Sequence, residues 1–345
     1  MLNCVVLLNW NGWRDTIECL ASVFHLDIED FCVVICDNAS SDGSLEHIKA
    51  WARGEILPDT PNPQLSRLGL PPVGKPIPYQ ELTREQVKYG AVTSDARLVL
   101  IQNGANLGFA GGNNVGLRYA LGDSACQFFW LLNNDTVVEP GALSALVSFM
   151  RQHPEVGLCG SLNLSYYNPG EVQAYGGKTY NRWSARVPNL SPDRPEKLTS
   201  PGSRMDFVNG ASMLVSRQFL EKIGLMEESY FLYFEELDWA MRGRGKFSLG
   251  FAHQSIVYHK EGASIGSSVD RTKRSLLSES YLSRNRVLFT KQFFPWALPT
   301  VLICVFLAAV QRLLRGDLKR AKIMLASMWQ GLRADVSSRS SGLSA

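Results

Sequence analysis

The sequence predicts an α/β fold with a mainly parallel central sheet flanked by helices, and three observations carry that expectation. Apolar runs alternate with helix-period segments from the start: Cys4–Leu8, Asp15–Phe24, Phe31–Cys36, then Ser41 to about Trp51. Strand, helix, strand, helix at that spacing is a βαβ beginning. The same rhythm resumes at Leu98 and runs to Leu162. Four successive strand ends carry polar, turn-forming clusters: Asn9/Asn11, Asp37/Asn38, Asn106 to Asn114, and Asn133 to Asp135. One such cluster is ordinary turn chemistry. Four in a row are better explained by one ligand across the carboxyl edge of a parallel sheet.

Composition bounds the alternatives. Of 345 residues, 45% are hydrophobic and 19% charged, which excludes a disordered chain. No glycine period or sustained heptad supports a collagen or coiled-coil reading. A net charge of +3 is too small to imply nucleic acid. The seven cysteines are scattered and odd in number, so buried free thiols are expected rather than disulfides or a zinc site. The start Met1-Leu-Asn-Cys-Val-Val lacks a basic region and a small-residue cleavage site, so no signal peptide is expected and the protein is placed on the cytoplasmic side.

Taken in order, the Cys4–Leu8 strand ends at Asn9-Trp-Asn-Gly12, and Ile17, Leu20, Ala21 and Phe24 mark one side of the first helix. The Phe31–Cys36 strand ends at Asp37-Asn38, and Ser41-Asp-Gly-Ser44 opens the next helix. Between about 53 and 97 prolines accumulate, and an inserted loop is expected, either a functional flap or a surface insertion without a role. Leu98–Gln102 is a strand, Asn106–Asn114 a glycine-rich turn, and Val115–Leu121 a helix. Phe128–Leu132 is a strand, Pro140–Arg151 a helix with proline at its start, and Val156–Leu162 a strand. Tyr166–Arg204 reads as hairpins or loops, Phe207–Val215 as a strand pair or a bent strand, and Arg217–Ile223 as a helix. Glu228–Trp239 is an aromatic, acidic loop entering a helix, and Ser255–His259 a late strand.

The C-terminal part differs. Tyr281–Phe289 reads as a basic amphipathic helix. Phe293–Leu314 has Arg312 as its one charged residue, but its unbroken apolar core is short for a span of about 20 residues. With Trp296 at one edge and Lys291, Arg315, Lys319, Arg320 and Lys322 on the flanks, a helix lying in a membrane interface is the preferred reading. Packing on the domain, or in a dimer, and a true span remain the alternatives. The tail, 336–345, is expected to be disordered.

Several residues carry chemistry. Asp37 can accept hydrogen bonds from a nucleobase or ribose. The glycines at 108, 111 and 112 let backbone approach a ligand closely, but their spacing is not the dinucleotide fingerprint and follows the third strand. Asp135, after an apolar strand, can hold a hard cation that clamps a diphosphate, and His259 can be a second ligand or a structural histidine. Glu235, Glu236 and Asp238 crowd behind four aromatics; such crowding raises pKa values and suits a general base. An acidic helix N-terminus is the alternative. Arg242 and Arg244 read as solvated surface residues or phosphate contacts.

The stretches Val5-Val-Leu-Leu-Asn-Trp-Asn-Gly12, Cys36-Asp-Asn-Ala-Ser-Ser-Asp-Gly-Ser44, Asn106-Leu-Gly-Phe-Ala-Gly-Gly-Asn-Asn-Val-Gly116, Leu131-Leu-Asn-Asn-Asp-Thr136, Phe207-Val-Asn-Gly-Ala-Ser-Met-Leu214 and Tyr233-Phe-Glu-Glu-Leu-Asp-Trp239 together resemble the family 2 glycosyltransferases. These are inverting enzymes with the GT-A, Rossmann-like fold, and the likeness covers about residues 3–265. Within the family the chain looks most like rhamnosyltransferase-type enzymes of bacterial surface-polysaccharide assembly. The resemblance implies a GT-A domain over 1–265 and a helical, membrane-associating segment over 266–335. It implies that Asn9, Asn11, Asp37 and Asn38 hold the nucleoside, and that Asn106, Gly108 and Gly112 shape the diphosphate pocket. Asn133, Asn134 and Asp135 match an Asp-x-Asp element whose first acid is here Asn, with Asp135 on Mg²⁺ or Mn²⁺ and His259 assisting. Glu236 matches the catalytic base, with Glu235 and Asp238 orienting the base or acceptor.

The implied partners are a nucleotide-sugar donor, a lipid-linked or polysaccharide acceptor and the inner face of the cell membrane. Homo-oligomer formation stays open. The degraded Asp-x-Asp leaves a second reading: a non-catalytic nucleotide-sugar or glycan-binding subunit of an assembly complex. A nucleotidyltransferase is disfavoured, because Asn9-Trp-Asn-Gly12 is not a basic glycine-rich loop.

Overall fold

The computed structural model describes residues 2–88, 96–187, 205–261 and 275–334. The expected domain boundary at 265/266, much of the expected loop over Tyr166–Arg204 and the expected tail lie outside the described residues. The strands are β1 (Leu2–Asn9), β2 (Phe31–Asp37), β3 (Tyr79–Thr83), β4 (Leu98–Gln102), β5 (Cys126–Asn133), β6 (Thr136–Val138), β7 (Val156–Ser165), β8 (Val172–Tyr175), β9 (Gly177–Lys178), β10 (Phe207–Val208), β11 (Ser212–Ser216) and β12 (Ser248–His259). The helices are α1 (Trp13–Val23), α2 (Ser44–Arg53), α3 (Arg84–Lys88), α4 (Gly108–Leu121), α5 (Ala142–Gln152), α6 (Arg217–Ile223), α7 (Glu235–Gly243), α8 (Leu276–Phe293), α9 (Leu298–Leu314) and α10 (Leu318–Arg333).

The sheet runs β10-β9-β8-β7-β11-β5-β1-β2-β4-β3, with β12 beside β7 and β6. From β5 through β1, β2 and β4 to β3 every pairing is parallel. The strand β11 enters antiparallel between β5 and β7. Side chains alternate across the sheet, so Val5 and Leu7 join a core with Ile17, Ile48, Trp51 and Leu146, while Cys4 and Val6 join one with Val115, Phe219 and Trp239. Burial on both faces is why these strands read as unbroken apolar runs. All seven cysteines are free, five of them buried.

Three elements differ in detail from the sequence reading. The glycine-rich turn is the first part of α4, which begins at Gly108 rather than Val115. Gly108 itself takes a left-handed φ of 71°, while further along glycine permits close contact: a Cβ on Gly112 would lie 2.3 Å from Leu8 Cδ1, and one on Gly116 2.6 Å from Val6 Cγ1. The helix therefore rides directly on β1. Within 53–97, Tyr79–Thr83 is an edge strand of the sheet, paired parallel with β4. Finally α8 is longer than the expected Tyr281–Phe289 and buries polar residues, Ser278, Ser283, Asn285 and Thr290, so it is not an amphipathic surface helix.

The apolar C-terminal helix has two faces. Pro295–Leu314 is long and apolar enough to cross a membrane. Yet Val301, Val305 and Ala309, spaced by four, are buried in α9, and Val301 and Val305 belong to the core of the main domain. The other side exposes Ile303, Phe306, Leu307, Leu313 and Leu314. The following helix, α10, packs against α8 and α9 and exposes Leu318, Leu325 and Trp329.

Candidate active site

The carboxyl ends of β1, β2 and β5 open into a cleft lined by Trp10, Asn38, Asn106, Gly108, Asn133, Asn134, Asp135 and His259, closed by Phe231, Leu232 and Leu277. Asp135 and His259, more than a hundred positions apart, meet there because β12 runs antiparallel to β6 with His259 opposite Thr136. That register sets His259 Nε2 3.2 Å from Asp135 Oδ1. Asn133 Nδ2 lies 3.4 Å from the same ring nitrogen, and Gln173 Oε1 3.2 Å from Nδ1. Burial alone would raise the Asp135 carboxyl, but the His259 ring outweighs it and holds the group below its ordinary range. The reciprocal attraction raises His259 against the opposing effect of its own burial.

Two donors converging on the cleft fit a hard cation delivered with its substrate, since such ions take one or two protein ligands and complete their shell with phosphate oxygens and water. Among the described residues no group of three or more His, Cys, Asp or Glu forms a self-sufficient cage.

The remaining expected nucleotide contacts divide into two groups. Asn38 lines the cleft and is itself fixed, accepting from Asn103 Nδ2 at 2.7 Å and donating to the Gly108 carbonyl at 3.0 Å. Asn106 caps that turn through the Gly108 N–H at 3.0 Å. By contrast Asn9, Asn11, Asp37 and Gly112 do not line the cleft. Asn9 Nδ2 donates to Asp37 Oδ1 at 2.6 Å, and Asp37 also accepts from the Ser40 hydroxyl and N–H. Asn11 Oδ1 holds the Ser41 N–H at 2.7 Å. These side chains tie the β1 and β2 ends together behind the cleft wall.

The acidic cluster opens α7. Glu236 is half-buried and packs on the Gly210 turn, whose neighbour Ala211 accepts a hydrogen bond from the Asn133 N–H at 3.0 Å. One turn thus joins Glu236 to the Asn133–Asp135 segment. Burial raises the Glu236 carboxyl above its ordinary value, against a smaller pull from Lys178. Burial, then the Glu236 charge, raises Glu235 still further. Asp238 has a different setting: burial raises it, and Arg242 opposes that through a 2.6 Å ion pair. Arg242 is not the solvated arginine the sequence suggested. Its remaining nitrogens bond the Ile223 and Leu225 carbonyls, so Asp238 and Arg242 fasten α7 to the preceding turn.

Sequence reasoning missed Trp10, Phe231, Leu232 and Leu277 as cleft residues. Trp10 had a signal, an aromatic between two asparagines at a strand end. Leu277 had none, because only tertiary packing brings α8 to the cleft.

Residues 80–224 match the family model for Glycosyl transferase family 2. A curated relative, the low-salt glycan biosynthesis hexosyltransferase Agl10 of Haloferax volcanii, is 27% identical over 201 residues, 56% of this chain. The chain spans 60% of that relative's length. The fold is similar to the mannosyltransferase PcManGT of Pyrobaculum calidifontis, solved with GDP-Man and Mn²⁺, with TM-score 0.51, 13% identity, and 95% and 86% of the two chains covered. It is also similar to GalNAc-T7, solved with UDP, GalNAc and Mn²⁺, with TM-score 0.58, 16% identity, and 96% and 56% covered. The architecture is of the GT-A type.

Proposed function

We propose that the chain is an inverting glycosyltransferase that moves a sugar, rhamnose or another hexose, from a nucleoside-diphosphate donor to a hydroxyl of a lipid-linked or polysaccharide acceptor in cell-surface glycan assembly. The observation that carries this reading is the Asp135–His259 pair on the cleft wall, with Glu236, a carboxyl raised by burial, outside the lining residues but one Gly210–Ala211 turn from Asn133.

The chemistry follows from these residues. Asp135 and His259 would hold Mg²⁺ or Mn²⁺, whose charge offsets that developing on the leaving diphosphate. Asn38, Asn106 and the glycine-rich start of α4 offer polar groups and close backbone approach to the donor, while Trp10 offers a flat face to its base. Glu236 takes the acceptor hydroxyl proton; its raised pKa makes it a stronger base than an exposed glutamate. The acceptor oxygen bonds the anomeric carbon as the bond to the phosphate oxygen breaks on the opposite face. One displacement inverts that carbon and releases the nucleoside diphosphate. Glu235, raised further, would stay protonated beside the Glu236 carboxylate.

We take residues 1–265 as the catalytic domain and 266–335 as the helical segment that docks on the cytoplasmic membrane face. The exposed apolar side of α9 and α10 supports docking, together with exposed Arg315, Lys319 and Lys322 beside it. A thermal-shift panel of sugar nucleotides with Mg²⁺ or Mn²⁺ tests the enzymatic reading, followed by assay of nucleoside diphosphate release. Release that requires both metal and acceptor is expected. Stabilisation by a donor without turnover across a broad acceptor panel would support the binding-subunit reading instead.

A further inference from the structure

We propose that Asn285 of α8 is a positioning residue that locks the loop carrying Glu236, so that the C-terminal helical segment completes the active site. The inference rests on the reading of Glu236 as base.

The loop before α7 is held in a costly conformation. Phe231, Tyr233 and Phe234 have φ of 63°, 68° and 79°, left-handed values for three residues bearing a Cβ within four positions. Such backbone persists only where its surroundings over-determine it. Here the surroundings are largely α8. Asn285 is fully buried, and its Nδ2 donates to the carbonyls of Tyr230, Leu232 and Tyr233 at 2.9, 2.8 and 3.0 Å. An amide has two hydrogens, so the three carbonyls share them. Asn285 Oδ1 accepts from Arg284 Nη1 at 2.8 Å, and that nitrogen also reaches the Ser229 carbonyl at 2.9 Å. Phe231 stacks on Tyr281 of the same helix with centroids 4.8 Å apart, and Tyr233 donates to Ser278 at 3.0 Å.

The clamped loop touches both halves of the site. The Phe231 carbonyl accepts from the Phe109 N–H at 2.7 Å at the start of α4. Phe234 is the N-cap residue of α7, directly before Glu235 and Glu236. With its three carbonyls released, the loop can relax toward right-handed φ values and swing the first turn of α7 away from Gly210. The bulk of the fold does not depend on those bonds, because β1, β2 and β5 take theirs from each other.

The test uses full-length Asn285→Ala and Asn285→Asp, the latter matched in volume but lacking the amide donor. The readouts are kcat and donor KM with the best sugar nucleotide from the panel, and hydrogen exchange of peptides across 229–240. In both variants kcat should fall by about 10²-fold, the cost of a misplacement near 1 Å, while donor KM changes far less. Exchange should accelerate across 229–240 and stay slow in β1 and β5. Wild-type kcat with unchanged exchange in either variant overturns the proposal, as does exchange that accelerates uniformly over the chain in both. Full turnover by Glu236→Gln with unchanged loop exchange would instead overturn the assignment of the base.

Discussion

Replacing Gly210 by alanine sets a methyl group against the carboxylate proposed to deprotonate the acceptor. A Cβ built there lies 2.3 Å from Glu236 Oε1, 3.1 Å from Cδ and 3.2 Å from Cγ. No positive φ opposes alanine at this position, since Gly210 is absent from the residues of left-handed backbone. The clash is with the end of a flexible side chain, so the fold can yield by turning Glu236 aside. To restore ordinary contact the carboxylate must retreat by about 1 Å, a displacement that costs roughly 10²-fold in rate when it separates reacting groups. Stability should hardly change: the melting temperature should move by no more than about 3 °C, the shift of a ~1 kcal/mol effect in a large domain. The assay is nucleoside diphosphate release at saturating acceptor, alongside a melt with and without donor. Gly210→Ala that melts near the wild type, binds donor and loses turnover supports the geometry. The same variant with wild-type turnover refutes the claim that Glu236 acts from this position.

Other perturbations follow. Asp135→Asn should abolish the added stabilisation that Mn²⁺ gives a bound sugar nucleotide, read by thermal shift, because it removes the carboxylate of the cation pair. Glu235 is raised by burial and by Glu236, so the folded chain keeps a proton that the unfolded chain releases above about pH 4. That carboxyl therefore costs stability increasingly as pH rises, and Glu235→Gln should out-melt the wild type at pH 7 with no advantage at pH 4 or below. Phe306→Ser with Leu307→Ser should weaken co-sedimentation with anionic phospholipid vesicles by more than about tenfold, since each buried side chain contributes roughly 1.5–3 kcal/mol. Substitution is the proper perturbation, as deleting the segment would strip Phe294, Ala297, Val301 and Val305 from the core.

The parallel half of the fold was legible because its strands are apolar on both faces and end in abrupt polar turns. The start of α4 was not, since glycines lower helix propensity while the close approach to Leu8 and Val6 that demands them is tertiary. The edge strand Tyr79–Thr83 was hidden in a proline-rich stretch; only its pairing with β4 defines it. In the site, Asp135 and His259 were legible as types, but their contact depends on the register of β12 with β6. Arg242 had one signal, Asp238 four positions before it, but its hold on the Ile223 and Leu225 carbonyls had none, and neither did that of Asn285 on the loop carbonyls, because backbone carbonyls carry no sequence mark. The two faces of α9 were also invisible, because an apolar residue reads the same whether it meets the core or solvent.

The most direct measurement compares Glu236→Gln with the wild type in donor-binding and turnover assays run side by side. The variant should keep the metal-dependent stabilisation by sugar nucleotide and lose about 10²–10⁴-fold in kcat, the contribution of a positioned acid–base group. Turnover within a few-fold of the wild type would contradict the account at its centre.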